Sequence, residues 1–391
     1  MGEQEIDIFL KKKVKWKVDA MTIIWITLAI AFLSGSFARR YNNPITTNGV
    51  TLSNPNKFFA FIAMGVLVLV SGLRNNIGDT GNYIYSFNNL VRDNIFNVFE
   101  DFSSFRNDSG FDVFQSFIKN FISTDPQVFL FICALITNVC IIRVLYKYSP
   151  AFELSLFLYI TTGAYFVTMN GIRQCLVAAL LFLCVKLITD GKWLPFFIIV
   201  LVLSTIHSSA MIFIPVYFFV RLKPWSKVIG ITLLASVIIL SLFDSIGASL
   251  LGILAGTQYG HYEKYILTEG AGANVVRVFV AAVPLVLAYL GKTNIEVNNN
   301  KLIGIVINFS VLNLVFYILA VQNWIFARLC IYFGLYGLLL LPWLIKKVFD
   351  NKKGTIIYGS SLILYVIYYY YEMESYLRYW GIGYISDYIG F

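Results

Sequence analysis

Charge is scarce in this sequence: Asp, Glu, Lys and Arg make up 13% of its 391 residues, about half the share of an ordinary soluble domain. With hydrophobic residues at 58%, a water-soluble globule is excluded. Histidine occurs twice and cysteine five times. Cys133, Cys140, Cys175, Cys184 and Cys330 all lie in apolar stretches, without metal-ligand spacing and in an odd number, so neither a metal site nor a disulfide framework is expected. A phosphate-binding GxxxxGK[ST] loop, a GxGxxG fingerprint and an HExxH helix are all missing. Nucleotide-driven and zinc-protease chemistry therefore have no support, and no cofactor is implied. The N-terminal stretch MGEQEIDIFLKKKVKWKVDA puts acidic residues before its lysines and has no small-residue cleavage site, so no cleavable leader is expected. Internal repeats and low-complexity linkers are also lacking.

What the chain has is apolar runs, and about 20 residues of them cross a bilayer core. We expect membrane segments near 20–37, 58–73, 127–142, 152–168, 172–189, 194–206, 209–220, 228–246, 274–290, 302–320, 325–345 and 355–371. The fold class is thus an all-α, polytopic membrane helix bundle of about 10–12 segments, forming a single domain over 1–391. External or interfacial stretches are expected near 74–126 and 247–273, with an interfacial tail at 372–391. The two runs between Lys192 and Arg221 are short for full spans and basic at both outer ends, which predicts a hairpin of short helices turning at His207.

The net charge of +9 does not point to nucleic acid, because Lys and Arg mostly flank the apolar runs, where they orient helices and meet anionic membrane lipid. Placing Arg39, Arg40, Lys57, Arg143, Lys147, Lys192, Arg221, Lys223, Lys227, Lys292, Lys301, Lys346, Lys347, Lys352 and Lys353 on the cytoplasmic side satisfies nearly every short loop. That choice leaves an external N-terminus, against which Lys11 to Lys17 stand as a contradiction.

Charged groups near the apolar core cost at least a few kcal/mol, so each becomes a candidate. In this orientation Arg74, Arg173, His207, Arg277 and Arg328 all fall on the external side, where their helices are expected to converge on one cavity. The stretch GLRNNIGDTGNYIYSF supplies Arg74, Asp79, Asn82 and Tyr83; its plainer reading is a loop whose arginine reaches lipid phosphates. In TMNGIRQC, Asn170, Arg173 and Gln174 are spaced to share a helix face. In STIHSSAMIF, Ser204, His207 and Ser208 have the same spacing, although a lone membrane histidine more often serves an interhelical hydrogen bond than catalysis. The other histidine, His261, lies with Glu263 and Lys264 in a tyrosine-flanked stretch that reads as a solvated loop.

Three of these segments together resemble the EpsG family of exopolysaccharide biosynthesis proteins, which is similar to the Wzy-type polymerases. They are Gly72-Leu73-Arg74 with Asp79-x-x-Asn82-Tyr83, Asn170-Gly171-Ile172-Arg173-Gln174, and Ile206-His207-Ser208-Ser209-Ala210. One departure is that Gly78 and Asp79 are adjacent, where the family usually has an intervening residue. The resemblance implies a multi-pass protein of the bacterial cytoplasmic membrane that polymerises lipid-linked oligosaccharide repeat units at the outer face. Donor and acceptor would both be carried on undecaprenyl pyrophosphate, and other polysaccharide assembly proteins are candidate partners. Cations must then stabilise the departing pyrophosphate, a task suited to the guanidinium groups of Arg74, Arg173, Arg328 and Arg277. A base must take the acceptor proton, with Asp79 and His207 as candidates and Glu263 a weaker one. Tyr83, Asn82, Asn170, Gln174 and Ser208 are supporting residues. Two other classes compete with this reading: a flippase or exporter of lipid-linked saccharide, and a non-enzymatic partner of a synthase.

Overall fold

The computed structural model describes residues 3–47, 50–90, 109–242, 272–293, 300–349, 351–375 and 383–389. Within the described residues, every expected segment falls on helix. In chain order the helices are α1 (Glu3–Arg40), α2 (Lys57–Gly72), α3 (Thr80–Asn89), α4 (Ser109–Phe121), α5 (Pro126–Tyr148), α6 (Phe152–Thr161), α7 (Ala164–Asn170), α8 (Ile172–Leu183) and α9 (Val185–Thr189). They continue with α10 (Trp193–Ile206), α11 (Phe213–Val220), α12 (Lys227–Ser241), α13 (Val276–Leu290), α14 (Lys301–Ala320), α15 (Ala327–Lys347) and α16 (Asn351–Ser375). A two-stranded antiparallel hairpin, Asn43–Thr47 with Val50–Asn54, joins α1 to α2.

Among the described residues, Thr22–Arg40, Pro126–Tyr148, Lys301–Ala320 and Trp324–Lys347 are long and apolar enough to cross a membrane. The pair α6 and α7 qualifies as one span bent by 53°, and several other apolar helices are shorter. The sequence predicts 152–168 as a single segment, and the break has a local cause. Thr161 and Thr162 donate their hydroxyls back to Phe157 O and Leu158 O, a bond that bends helices. Gly163 then takes φ +81°, the left-handed geometry that ends a helix and that glycine adopts most readily.

The chain divides into two compact units, one of residues 1–102, 112–172 and 357–391, the other of residues 103–111 and 173–356. In the first unit α1 packs on α2 and α6, and α2 packs on α5. Close approach depends on small residues, as expected where lipid is as apolar as leucine and packing drives association. A Cβ at Gly35 would lie 2.9 Å from the Cα of Glu153, and one at Gly72 would lie 2.5 Å from Phe131. At the same α1–α6 contact the fully buried Glu153 meets Arg39 Nη1 at 2.6 Å and accepts from the Tyr358 hydroxyl at 3.4 Å. This ionic pair ties α1 to α6.

The second unit is built around α14 and α15, which pack along each other while α12 and α13 pack on α14. Phe309 stacks on Tyr336 with centroids 3.7 Å apart, and Phe182 meets the same ring edge-on. Asn308 donates to Val220 O and Leu222 O, satisfying carbonyls left over where α11 ends. The expected short-helix hairpin is present: Phe196 and Phe197 of α10 pack against Phe213, Tyr217 and Phe218 across the turn.

Candidate functional site

In the first unit the site residues gather where α2 ends. Arg74, 1% exposed, donates from Nε to Met169 O at 3.1 Å and to Thr80 Oγ1 at 3.2 Å. Its Nη1 donates to Ser71 O. The guanidinium thus fastens the end of α2, the start of α3 and the end of α7. Gln127 reinforces the same point by donating to Gly72 O and Arg74 O, and Tyr165 donates to Leu67 O at 2.7 Å.

Two of the family-like segments touch directly. Gly78 has φ +53°, and a Cβ there would fall 2.1 Å from Asn170 Oδ1. Only glycine tolerates both conditions. The same Oδ1 accepts the Asp79 N–H at 3.0 Å. Asp79 itself is exposed and caps α3 by position, with no side-chain capping bond. Asn82 is exposed and Tyr83 half-buried on the first turn of that helix.

The shared helix face expected for Asn170, Arg173 and Gln174 does not exist. Asn170 closes α7, Gly171 leaves helical geometry at φ −82° and ψ 63°, and α8 begins afresh at Ile172. The asparagine is thereby freed to meet Gly78 and Asp79.

In the second unit Arg173 is half-buried with its guanidinium 5.7 Å from the centroid of Phe111. Its neighbour Gln174 donates to Arg328 O at 2.8 Å, and Arg328 lies over the Trp324 ring at 5.1 Å. Arg277, also half-buried, stands on α13, which packs against α15. Gly110 sits so close to Thr205 that a Cβ would lie 2.2 Å from its Oγ1, bringing the start of α4 to the hairpin tip. There the shared helical face expected for Ser204, His207 and Ser208 also fails. His207 is extended at φ −152° and ψ 109°, ending α10, while Ser204 and Thr205 turn their hydroxyls back to Leu201 O and Val202 O. The imidazole is buried. Beyond it Ser209 Oγ and Tyr332 Oη are 2.7 Å apart, fixing the tip to α15 one turn past Arg328. His261 and Glu263 lie outside the described residues, within which no cluster of metal-ligating side chains occurs.

Sequence reasoning missed two features. Glu153 is a lone carboxylate at the head of an apolar run, and by the rule applied to the arginines it is a candidate too. The second is the C-terminal segment. Asn75 N–H donates to Ile385 O at 3.0 Å, Ile385 N–H donates to Asn76 Oδ1 at 2.8 Å, and Asn76 Nδ2 donates to Gly383 O at 2.5 Å. Tyr384, 2% exposed, donates to Val70 O at 2.9 Å. Burial pushes its phenol up to about 12, partly offset by the Ser386 hydrogen bond and the Arg74 charge, so it remains a donor across the physiological range. No local pattern in the sequence announces this docking.

A helical, multi-pass membrane protein with polar residues assembled at helix breaks is the class these observations define. The chain matches the EpsG family over residues 57–380, and it belongs to that family, a family of Wzy-like polymerases. Lipid-linked saccharides are the substrate class that such membership implies. No curated protein and no solved structure matches the chain.

Proposed function

We propose that this protein polymerises undecaprenyl-pyrophosphate-linked oligosaccharide repeat units into exopolysaccharide or capsule at the outer face of the bacterial cytoplasmic membrane. The observation that supports it best is the junction of Gly78 and Asp79 with Asn170. Two segments 91 residues apart, both carrying the family resemblance, meet at one exposed carboxylate.

In the reaction, the bond between the anomeric carbon and the donor pyrophosphate breaks, and the acceptor hydroxyl oxygen bonds to that carbon. Asp79 takes the hydroxyl proton, with His207 the second candidate for that task. The lipid pyrophosphate leaves with the electron pair. Arg173, Arg328 and Arg277 stabilise its growing charge through guanidinium groups. Arg74 is expected from sequence to grip the pyrophosphate as well; its burial among carbonyls favours a different contribution, holding Thr80 and Met169 so that Asp79 is presented. Asn82, Tyr83, Gln174 and Ser208 support binding, and Asp79, Arg173 and His207 all face the outside of the cell in this reading.

A flippase for the same lipid-linked saccharide is the second reading, favoured by the broken helix at Gly163, since transporters use discontinuous helices. Purified protein in liposomes, given defined lipid-linked units and nothing else, separates the readings. A polymerase lengthens chains, a flippase moves units without lengthening them, and an assembly partner does neither. For the polymerase, Asp79→Asn should lower lengthening by about 10²- to 10⁴-fold at unchanged protein abundance. Wild-type rates from that variant would remove Asp79 from the chemistry.

A further inference from the structure

We propose that Asn76 is a positioning residue that clamps the C-terminal segment, residues 383–388, onto the turn carrying Arg74 and Asp79, and so holds that turn for the reaction. The inference rests on the reading of Asp79 as the acceptor base.

The turn between α2 and α3 has little regular structure of its own, since residues 73–79 lie between one helix end and the next. Its inner side is fixed by Arg74. Its outer side is fixed by the C-terminal segment. The Asn76 amide bonds both Gly383 O and Ile385 N–H, and the Asn75 N–H bonds Ile385 O, so two side-chain bonds and one backbone bond join the two stretches. Tyr384, between these two anchors, plugs into the end of α2 through Val70 O. Gly383, Tyr384 and Ser386 are buried there, whereas Asp387 and Tyr388 are exposed. Residues 383–388 lie beyond the 57–380 span of the family match, so the clamp joins a segment outside the shared region to a turn inside it. A side-chain amide that satisfies a donor and an acceptor at once is hard to replace, because any substitute leaves one of the two groups unpaired.

The test uses the full chain, purified, with hydrogen exchange read on peptides covering 73–79 and 383–388, alongside chain lengthening in liposomes. Asn76→Asp keeps the size and the acceptor for Ile385 N–H but turns a carboxylate oxygen toward Gly383 O. Both Asn76→Asp and Asn76→Ala should raise exchange in both segments by about tenfold and shorten the polymer, at unchanged exchange in α14 and α15. Tyr384→Phe, which removes the phenol's bonds to Val70 O and Ser386 but leaves the Asn75 and Asn76 bonds in place, should raise exchange in 383–388 by less. Wild-type exchange at 73–79 in Asn76→Asp and Asn76→Ala overturns the clamp. Loosened exchange with wild-type polymer overturns the positioning role. Wild-type protein that lengthens nothing overturns the polymerase reading instead, and exchange still decides whether the clamp exists.

Discussion

Arg74 and Arg173 look alike in sequence, each a lone arginine beside an apolar run, yet their surroundings differ in kind. Arg74 is 1% exposed and donates to Met169 O, Ser71 O and Thr80 Oγ1. Arg173 is half-buried, over the face of Phe111. A planar fork among backbone carbonyls is a fastening, because removing it leaves buried acceptors unpaired. A guanidinium over an aromatic face is held by a cation–π contact, which fastens no backbone acceptor. The difference teaches that a costly membrane charge marks a demanding position without saying whether the demand is structural or chemical.

The sharpest way to break this comparison is to replace both arginines by lysine and read two quantities separately. Arg173→Lys should lower chain lengthening by about 10²- to 10³-fold, since one point charge cannot make the fork's paired contacts, with little change in thermal midpoint. Arg74→Lys should instead destabilise the protein by about 2–3 kcal/mol, because the ammonium cannot reach the Ser71 and Met169 carbonyls and the Thr80 hydroxyl together. Loss of lengthening would follow that instability. If Arg74→Lys kept the wild-type midpoint and lost only polymer, Arg74 would belong with the pyrophosphate ligands after all.

A smaller effect separates the turn from the helix that meets it. Gly78→Ala places a non-glycine residue at φ +53°, at a cost of about 1–2 kcal/mol, and pushes its methyl into Asn170. Adding Asn170→Ala should relieve the steric part and leave the backbone part, so the double variant should melt between Gly78→Ala and wild type. Lengthening should stay low in both, since Asn170→Ala also frees the Asp79 N–H. A Gly78→Ala protein with the wild-type midpoint would mean that the junction of the two segments is not close-packed.

These contrasts also mark how far sequence reaches. Apolar run length locates the helices well, because hydropathy acts over many residues at once, and the short-helix hairpin follows from the same rule. Breaks inside a run are decided by one or two residues. Thr161, Thr162 and Gly163 bend a helix without lowering its hydropathy enough to announce it, and Gly171 and His207 each separate residues that helical spacing would place together. Arg74, Asp79, Asn170 and Arg173 are legible as isolated polar groups, whereas the pairings are not: Glu153 with Arg39, Asn170 with Gly78 and Asp79, and Asn75 and Asn76 with residues 383–385. Such pairings span from tens to hundreds of residues and leave no periodic trace.

The smallest expected effect concerns the second unit, where the hairpin tip carrying His207 meets α15. Ser209 Oγ and Tyr332 Oη share one hydrogen bond of 2.7 Å, and Tyr332 also meets Phe213 edge-on with centroids 5.4 Å apart. Ser209→Ala and Tyr332→Phe each delete one hydroxyl while leaving the ring contact in place. An interhelical hydrogen bond in a membrane protein is worth roughly 0.6 kcal/mol on average and rarely more than about 1.7, so each variant should shift stability by that order. The double variant should lose little more than either single one, because the bond can be removed only once. Strict additivity would show that the two hydroxyls are satisfied elsewhere and that aromatic packing alone fixes the tip. Coupling together with a fall in lengthening larger than the stability loss would tie the placement of His207, beside this bond, to the chemistry. That outcome would make the hairpin tip functional in the way proposed for the turn at Asp79, whereas coupling with unchanged lengthening would leave it structural, as proposed for Arg74.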